Sequence, residues 1–328
     1  VVVVVGPAAM RVLAVSDLHV DYVKNLEWCK SLSDEEYAED CLIVAGDISH
    51  KLDKLEETLR TLKQKFKEVF FTPGNHDLWV TDAKGAKDSI EKMKEVEELC
   101  GRLNVATRAK KITFGNECNS VWVVPIYSWY HASWDREEDW VGIPPATKVM
   151  ADFRACKWPL PIDAMSEDDS LAKLFDSFNS PALENLETVL EIERESAFET
   201  ASPVITFSHF VPRNELIPEK SKLFYKNLPK AVGSDYLFDR IKQLRPDVHV
   251  FGHTHFSWDC WLDDVRYVQW PLGYPKEQER RRKYGTKREG GWKPIVVYDH
   301  DGITKCKRTY WCNHYNLSTH NPKAAYTK

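Results

Sequence analysis

Seven side chains with nitrogen or oxygen donors, Asp17, His19, Asp47, Asn75, His209, His253 and His255, stand at or just past the ends of short apolar runs. No thiolate accompanies them. Carboxylate, amide and imidazole together suit Mn, Fe or Zn, and the want of Cys speaks against a structural zinc. Seven donors are a set sized for two metal ions. Two cations roughly 3.5 to 4 Å apart need a shared carboxylate, and they acidify a bridging water until hydroxide exists near neutral pH. The densest stretch is Phe70 to Trp79, FFTPGNHDLW, where Asn75, His76 and Asp77 follow Pro73-Gly74. Gly74 permits a backbone turn closed to other residues, and the three side chains supply a ligand, a proton carrier and its orienter. In isolation Asn-His-Asp is a hydrophilic turn. Four other apolar runs that end the same way set it apart.

Strands must deliver these groups. Arg11 to Val15 is rich in β-branched residues and ends in Ser16-Asp17-Leu18-His19; alternation puts i and i+2 on one side of an extended segment, so Asp17 and His19 can reach a common point. The run Cys41 to Ala45 repeats the design ahead of Gly46-Asp47. Leu52, Leu55, Leu59, Leu62 and Phe66 then recur at helical spacing and lead into the Phe70 strand. Strand, helix, strand at this length is a βαβ crossover, with the strands' carboxyl ends on one rim. Ligands bind at that rim in open α/β sheets. Ala86 to Cys100 predicts a helix with a core face, and Lys111 to Phe114 and Val121 to Tyr127 predict strands, the second ending near Pro125. Pro203 to Phe207 ends in Ser208-His209. After a helix over Ser234 to Leu244, Val248 to Phe251 ends in Gly252-His253-Thr254-His255, a His-x-His pair that packing does not explain. Trp261 to Trp270 and Pro294 to Asp299 read as strands closing a second sheet. Residues 129–201, with Trp129, Tyr130, His131, Trp134, Trp140 and Trp158 among prolines, read as an inserted cap whose aromatics form a compact core rather than a stacking wall.

The 328 residues can bury a sizeable core, in one large domain or two. A net charge of −5 argues against wholesale binding to nucleic acid or anionic membrane and leaves a small phosphorylated substrate open. Eight Cys without a Cys-x-x-Cys pair read as reduced thiols of an intracellular, cytoplasmic protein. Val1 to Val5 with Gly6-Pro7 are too short for a membrane span and lack signal-peptide flanks, so residues 1–9 read as an extension ahead of Met10. No stretch nears the roughly 18 apolar residues of a spanning helix.

Taken together, Asp17-x-His19, Gly46-Asp47, Gly74-Asn75-His76-Asp77, Ser208-His209 and Gly252-His253-x-His255 resemble the five motifs of the calcineurin-like metallophosphoesterase superfamily, in family order. The resemblance implies an α/β fold over residues 10–328, two packed mixed β-sheets flanked by helices, with the cap inserted at 129–201. It implies one metal on Asp17, His19, Asp47 and His255 and another on Asp47, Asn75, His209 and His253, with Asp47 as the bridge. His76 matches the histidine that contacts phosphate and protonates the leaving oxygen, and Asp77 would orient it. The protein-phosphatase branch carries Glu where this chain has Asp77 and an Asp-Arg-Gly segment where it has Ile48-Ser49-His50. Many relatives carry Arg where Leu78 stands. Phosphate charge is then expected to meet Arg213 first, with His131 and Arg280, Arg281 and Arg282 as further candidates. The Lys276 to Lys293 stretch reads as a solvated basic loop or as a flap over an anionic substrate. The expected activity is hydrolysis of a small phosphodiester or nucleotide substrate by a two-metal hydroxide. A phosphomonoesterase is the alternative. A scaffold without activity and a nuclease are rivals, the first at odds with the retained donors and the second with the acidic composition.

Overall fold

The computed structural model describes residues 10–81, 85–113, 120–162, 168–196, 201–284 and 292–322, without the side chains of 282–284. The expected extension at 1–9 lies outside the described residues. The apolar runs become two sheets. In the first, β1 (Val12–Val15), β2 (Cys41–Ala45) and β3 (Glu68–Thr72) are parallel. They are linked through α1 (Val23–Ser31) and α2 (Leu52–Lys65). In the second, β5 (Ser120–Pro125), β6 (Val204–Phe207), β7 (Val248–Phe251) and β9 (Val265–Gln269) are parallel. The edges β4 (Lys110–Thr113) and β8 (Trp258–Leu262) run antiparallel to their neighbours.

Alternation sorts each strand's side chains into two layers. Val12, Ala14, Ile43, Ala45 and Phe70 of the first sheet face Val123, Ile205, Phe207, Val250 and Val268 of the second. The opposite row, Leu13, Val15, Leu42, Val44 and Phe71, packs on Leu26 of α1, Leu55, Leu59 and Leu62 of α2, and Val96 and Leu99 of α3 (Ser89–Leu103). Most of these side chains are fully buried, which stabilises by about 1.5–3 kcal/mol for each large one. On the far side, α7 (Ala182–Ser196) and α8 (Asp235–Leu244) cover Val124 with Leu183, Leu186, Leu190, Leu237, Ile241 and Leu244. The result is an αββα sandwich. Ser234 caps α8 by accepting from Leu237 N, and a left-handed Arg245 ends it before Pro246.

Three expectations change. Pro294 to Asp299 does not close the second sheet: as β10 (Ile295–Asp299) it pairs antiparallel with β1 and carries β11 (Gly302–Ile303) at the edge of the first. An alternating run carries no mark of which sheet it joins. The basic stretch is not a loop over its first half, since α9 (Pro275–Tyr284) occupies it; residues 285–291 lie outside the described set. The stretch read as a cap divides. Its first part, with α4 (Ala146–Val149), α5 (Asp152–Ala155) and α6 (Ser170–Ser177), forms an aromatic core around Trp129, Tyr130, Phe175 and Phe210. Its last part, α7, is the crossover between β5 and β6. A short helix, α10 (Tyr310–His314), packs Cys312 beside Trp258 and Cys260.

Candidate active site

The carboxyl ends of β1, β2 and β3 meet those of β6 and β7 where the two sheets adjoin. At each end the chain turns sharply. Asp17, His19, Asp47, His253 and His255 have φ between 43° and 75°. Asp and His tolerate this left-handed region better than most residues, at a cost of about 1–3 kcal/mol each. The convergence of Asp17 with His19, and the separation of His253 from His255, thus come from left-handed turns rather than from extended alternation. Backbone ties hold them: His19 N donates to Asp47 O at 2.9 Å and His253 N to Asp17 Oδ1 at 2.8 Å. A Cβ on Gly74 would collide with the Asp47 carboxylate and the His209 ring, and one on Gly46 with the same ring.

The donors form two groups that share Asp47. Asp17, His19, Asp47 and His255 place one ligand atom each within 4.8 Å of one another, and so do Asp47, His209 and His253. Asn75 Oδ1 joins the second group, 3.0 Å from His209 Nε2 and 2.9 Å from His253 Nδ1. Asp47 Oδ1 lies 3.4 Å from His209 Nε2, whereas its Oδ2 faces His19 Nε2 at 3.8 Å.

Each of three imidazoles spends its outer nitrogen on an oxygen. His209 Nδ1 donates to Ala45 O at 2.9 Å, His253 Nε2 to Ala231 O at 2.8 Å, and His255 Nδ1 to Glu277 Oε2 at 2.7 Å. The inner nitrogens, His209 Nε2, His253 Nδ1 and His255 Nε2, therefore aim at the centre, as metal-ligating histidines are held. His19 Nε2 and His255 Nε2 point at each other across 2.9 Å, which two lone pairs satisfy only by sharing a proton or a cation. The donor chemistry fits a pair of oxygen- and nitrogen-preferring ions. Charge is balanced along the same lines. Burial alone would lower the His209 pKa, but Asp47 and Asp17 outweigh it and push the pKa up to about 9. Burial dominates at His253 and pulls it down to about 3.

His76 stands at the lip, its side chain 17% exposed, with Nε2 3.9 Å from Asp47 Oδ2. Its ring stacks on Trp79 at 3.7 Å and meets His19 edge-on at 4.7 Å, while its backbone N–H donates to Asp47 Oδ1. Asp77 does not face the His76 ring. Its carboxylate accepts from the backbone N–H of Asp47, Ile48, Ser49 and Gly74 at 2.8–2.9 Å, clamping the β2 and β3 loops together. Burial and Asp47 push its pKa up to about 7, yet four N–H donors occupy the lone pairs, so the geometry is that of the carboxylate.

Of the arginines singled out from the sequence, Arg213 stands elsewhere, and Arg281 lies behind His255 beside Glu277 with its head committed to the backbone. Arg213 is held by Glu215 and Asp263 at 2.6 Å each and packed on Phe238 and Tyr267, beside the β8–β9 turn. Two carboxylates already satisfy its charge. Arg281 donates to Pro271 O and Leu272 O and lies over Trp292, pinning α9 to the chain after β9. Arg280 is exposed on α9, and the Arg282 side chain lies outside the described residues. His131 is buried with both nitrogens engaged, donating to Ser133 Oγ and accepting from Asp235 N. What the α9 segment does bring to the site is Glu277, on His255, with the Tyr274 ring tilted against His19 at 4.5 Å. Sequence reasoning missed both, and it missed Asp152, whose Oδ1 accepts from Asn75 Nδ2 at 2.8 Å. A Glu three residues after Tyr274 reads only as helix surface.

Fold and donor set together define a metallophosphoesterase. The calcineurin-like phosphoesterase pattern matches residues 10–257, and the chain belongs to that family, hydrolases of phosphoester bonds. Among curated proteins it is similar to the [acyl-carrier-protein] phosphodiesterase PptH of Mycobacterium tuberculosis, 25% identical over 290 residues, which cover 84% of this chain and 82% of that protein. The crystal structure of the M. tuberculosis phosphopantetheinyl hydrolase PptH superposes with a TM-score of 0.61 at 23% identity, covering 85% of this chain and 94% of that one, which shows a shared fold.

Proposed function

We propose that the protein cleaves a phosphodiester with two metal ions, one held by Asp17, His19, Asp47 and His255 and the other by Asp47, Asn75, His209 and His253. The observation that carries this is the tautomer pattern: three imidazoles tied outward, with their inner nitrogens converging on either side of one carboxylate. Ions of the Mn, Fe or Zn kind, when bound, supply an acidified water and neutralise charge at phosphorus. The chain's own part is positioning and proton delivery. Trp79 restricts the His76 ring to one plane at the lip, where Nε2 can hand a proton to a departing alkoxide. Tyr274 walls the opposite side of His19.

A diester is favoured over a monoester because, among the described residues, the arginines expected to bind phosphate have their heads committed, Arg213 to two carboxylates and Arg281 to two backbone carbonyls. A diester brings one negative charge where a monoester brings nearly two. The similarity to a phosphodiesterase named for acyl carrier protein supports the same choice and extends it to a protein-borne phosphopantetheinyl group. The test is turnover of bis-p-nitrophenyl phosphate against p-nitrophenyl phosphate after chelation and re-addition of Mn, Zn or Fe, followed by a holo acyl carrier protein analysed by mass spectrometry. The expected outcome is metal-dependent preference for the diester. His76→Ala should retain the metal and lose roughly 10²- to 10⁴-fold in turnover. Preference for the monoester would replace the reading with a phosphatase, and loss of metal in His76→Ala would remove His76 from the acid role.

A further inference from the structure

Asp152 opens α5 in the aromatic insertion, 77 positions along the chain from Asn75, and is 3% exposed. Its Oδ1 accepts from Asn75 Nδ2 at 2.8 Å and from Trp79 Nε1 at 2.7 Å, and its Oδ2 accepts from the Tyr130 hydroxyl at 3.1 Å. A buried carboxylate facing neutral donors is costly, and a group meant only to fill the insertion's core could be apolar. Its partners suggest another purpose. A side-chain amide has two unlike ends, and a carboxylate can accept only from the NH₂ end. With Nδ2 committed to Asp152, Asn75 must turn Oδ1 toward His209 Nε2 and His253 Nδ1; the flipped amide would present N–H groups there and repel a cation. The same oxygen also fixes Trp79, the surface on which His76 stacks.

We propose that Asp152 is a positioning residue through which the insertion sets the affinity of one ion, that of the Asn75, His209 and His253 group, and leaves the other ion's affinity untouched. This rests on the two-ion reading above. The experiment is titration of the chelated full-length chain with Mn²⁺ alone, read by calorimetry and by bound metal after dialysis, for wild type, Asp152→Ala, Asp152→Leu and Asp152→Asn. Wild type should bind two ions per chain. Asp152→Ala and Asp152→Leu should keep one at wild-type affinity and weaken the other about 10- to 100-fold, the range seen when a ligand loses its supporting partner. Asp152→Asn should restore it, since the Asn carbonyl can accept from Asn75 and Trp79 while its NH₂ donates to Tyr130. Far-UV circular dichroism checks folding; if Ala and Leu both unfold the insertion, Asp152→Asn decides, because a tenfold loss there overturns the proposal. Two ions at wild-type affinity in a folded Ala or Leu variant, or equal weakening of both, also overturn it and leave the two-ion centre standing. A wild type that binds no Mn²⁺ ends both.

Discussion

At the scale of single residues, His209 joins the protonation state to the metal chemistry. Asp47 and Asp17 hold its pKa near 9 against the pull of burial, so in the chelated protein the ring carries a proton below that pH. A raised pKa means that this charge stabilises the metal-free fold fully below 6.5 and ceases to as pH climbs through about 9. In the proposed centre a metal ion takes the Nε2 lone pair and must displace that proton. Apparent Mn²⁺ affinity should therefore rise by roughly tenfold per unit between pH 6.5 and 9 and then level off. A pH-independent affinity would mean that no proton has to leave His209 in this range, and that the two carboxylates do not hold the ring charged. The residues that touch one another here were largely legible in the sequence, because all seven donors follow the ends of five strands. Asp152 and Glu277 were not, because their partners lie in distant parts of the chain and no local pattern marks them. Asp77 was misjudged for a related reason. Adjacency in sequence suggested a partner for His76, whereas its carboxylate turned to the backbone of two loops.

At the scale of elements, strand ends rather than helices decide the site. The strands themselves were predictable from alternation and from β-branched runs, and α2, α3 and α8 from helical spacing. The left-handed turns that follow the strands were not, since Asp and His carry no obligatory backbone preference of the kind glycine does. Gly74 shows how tightly those turns are fitted. A methyl group there would meet the Asp47 carboxylate and the His209 ring together. Gly74→Ala should abolish binding of at least one ion and reduce hydrolysis to background, with far-UV circular dichroism unchanged because β3 ends before it. Wild-type metal content in that variant would mean that the β2 and β3 loops can shift as a unit. The α9 segment teaches the opposite lesson. Its arginines drew attention as phosphate ligands, but the structure uses Arg281 to fasten the helix and Glu277 to orient His255.

At the scale of the whole molecule, the centre bridges two sheets whose inner faces otherwise meet through apolar contacts. Asp17, His19, Asp47 and Asn75 come from the first sheet, His209, His253 and His255 from the second. An ion bound across that joint opposes separation of the sheets. Saturation at about a hundredfold over Kd should add about 2.7 kcal/mol per ion. Calorimetry should therefore show one unfolding transition that moves to lower temperature on chelation and returns with Mn²⁺; a transition indifferent to metal would mean that the folded chain holds no ion. The pairing of β10 with β1 carries the point further. The edge of β1 is completed by residues 295–299, which are made long after it. Four of the seven donors leave the ribosome by residue 75, but their counterparts emerge only at 209–255 and the His255 anchor at 277. In the proposed centre, ion capture across both sheets therefore cannot precede synthesis of residue 255, and a nascent polypeptide released before that point would carry half a centre with nothing to close it.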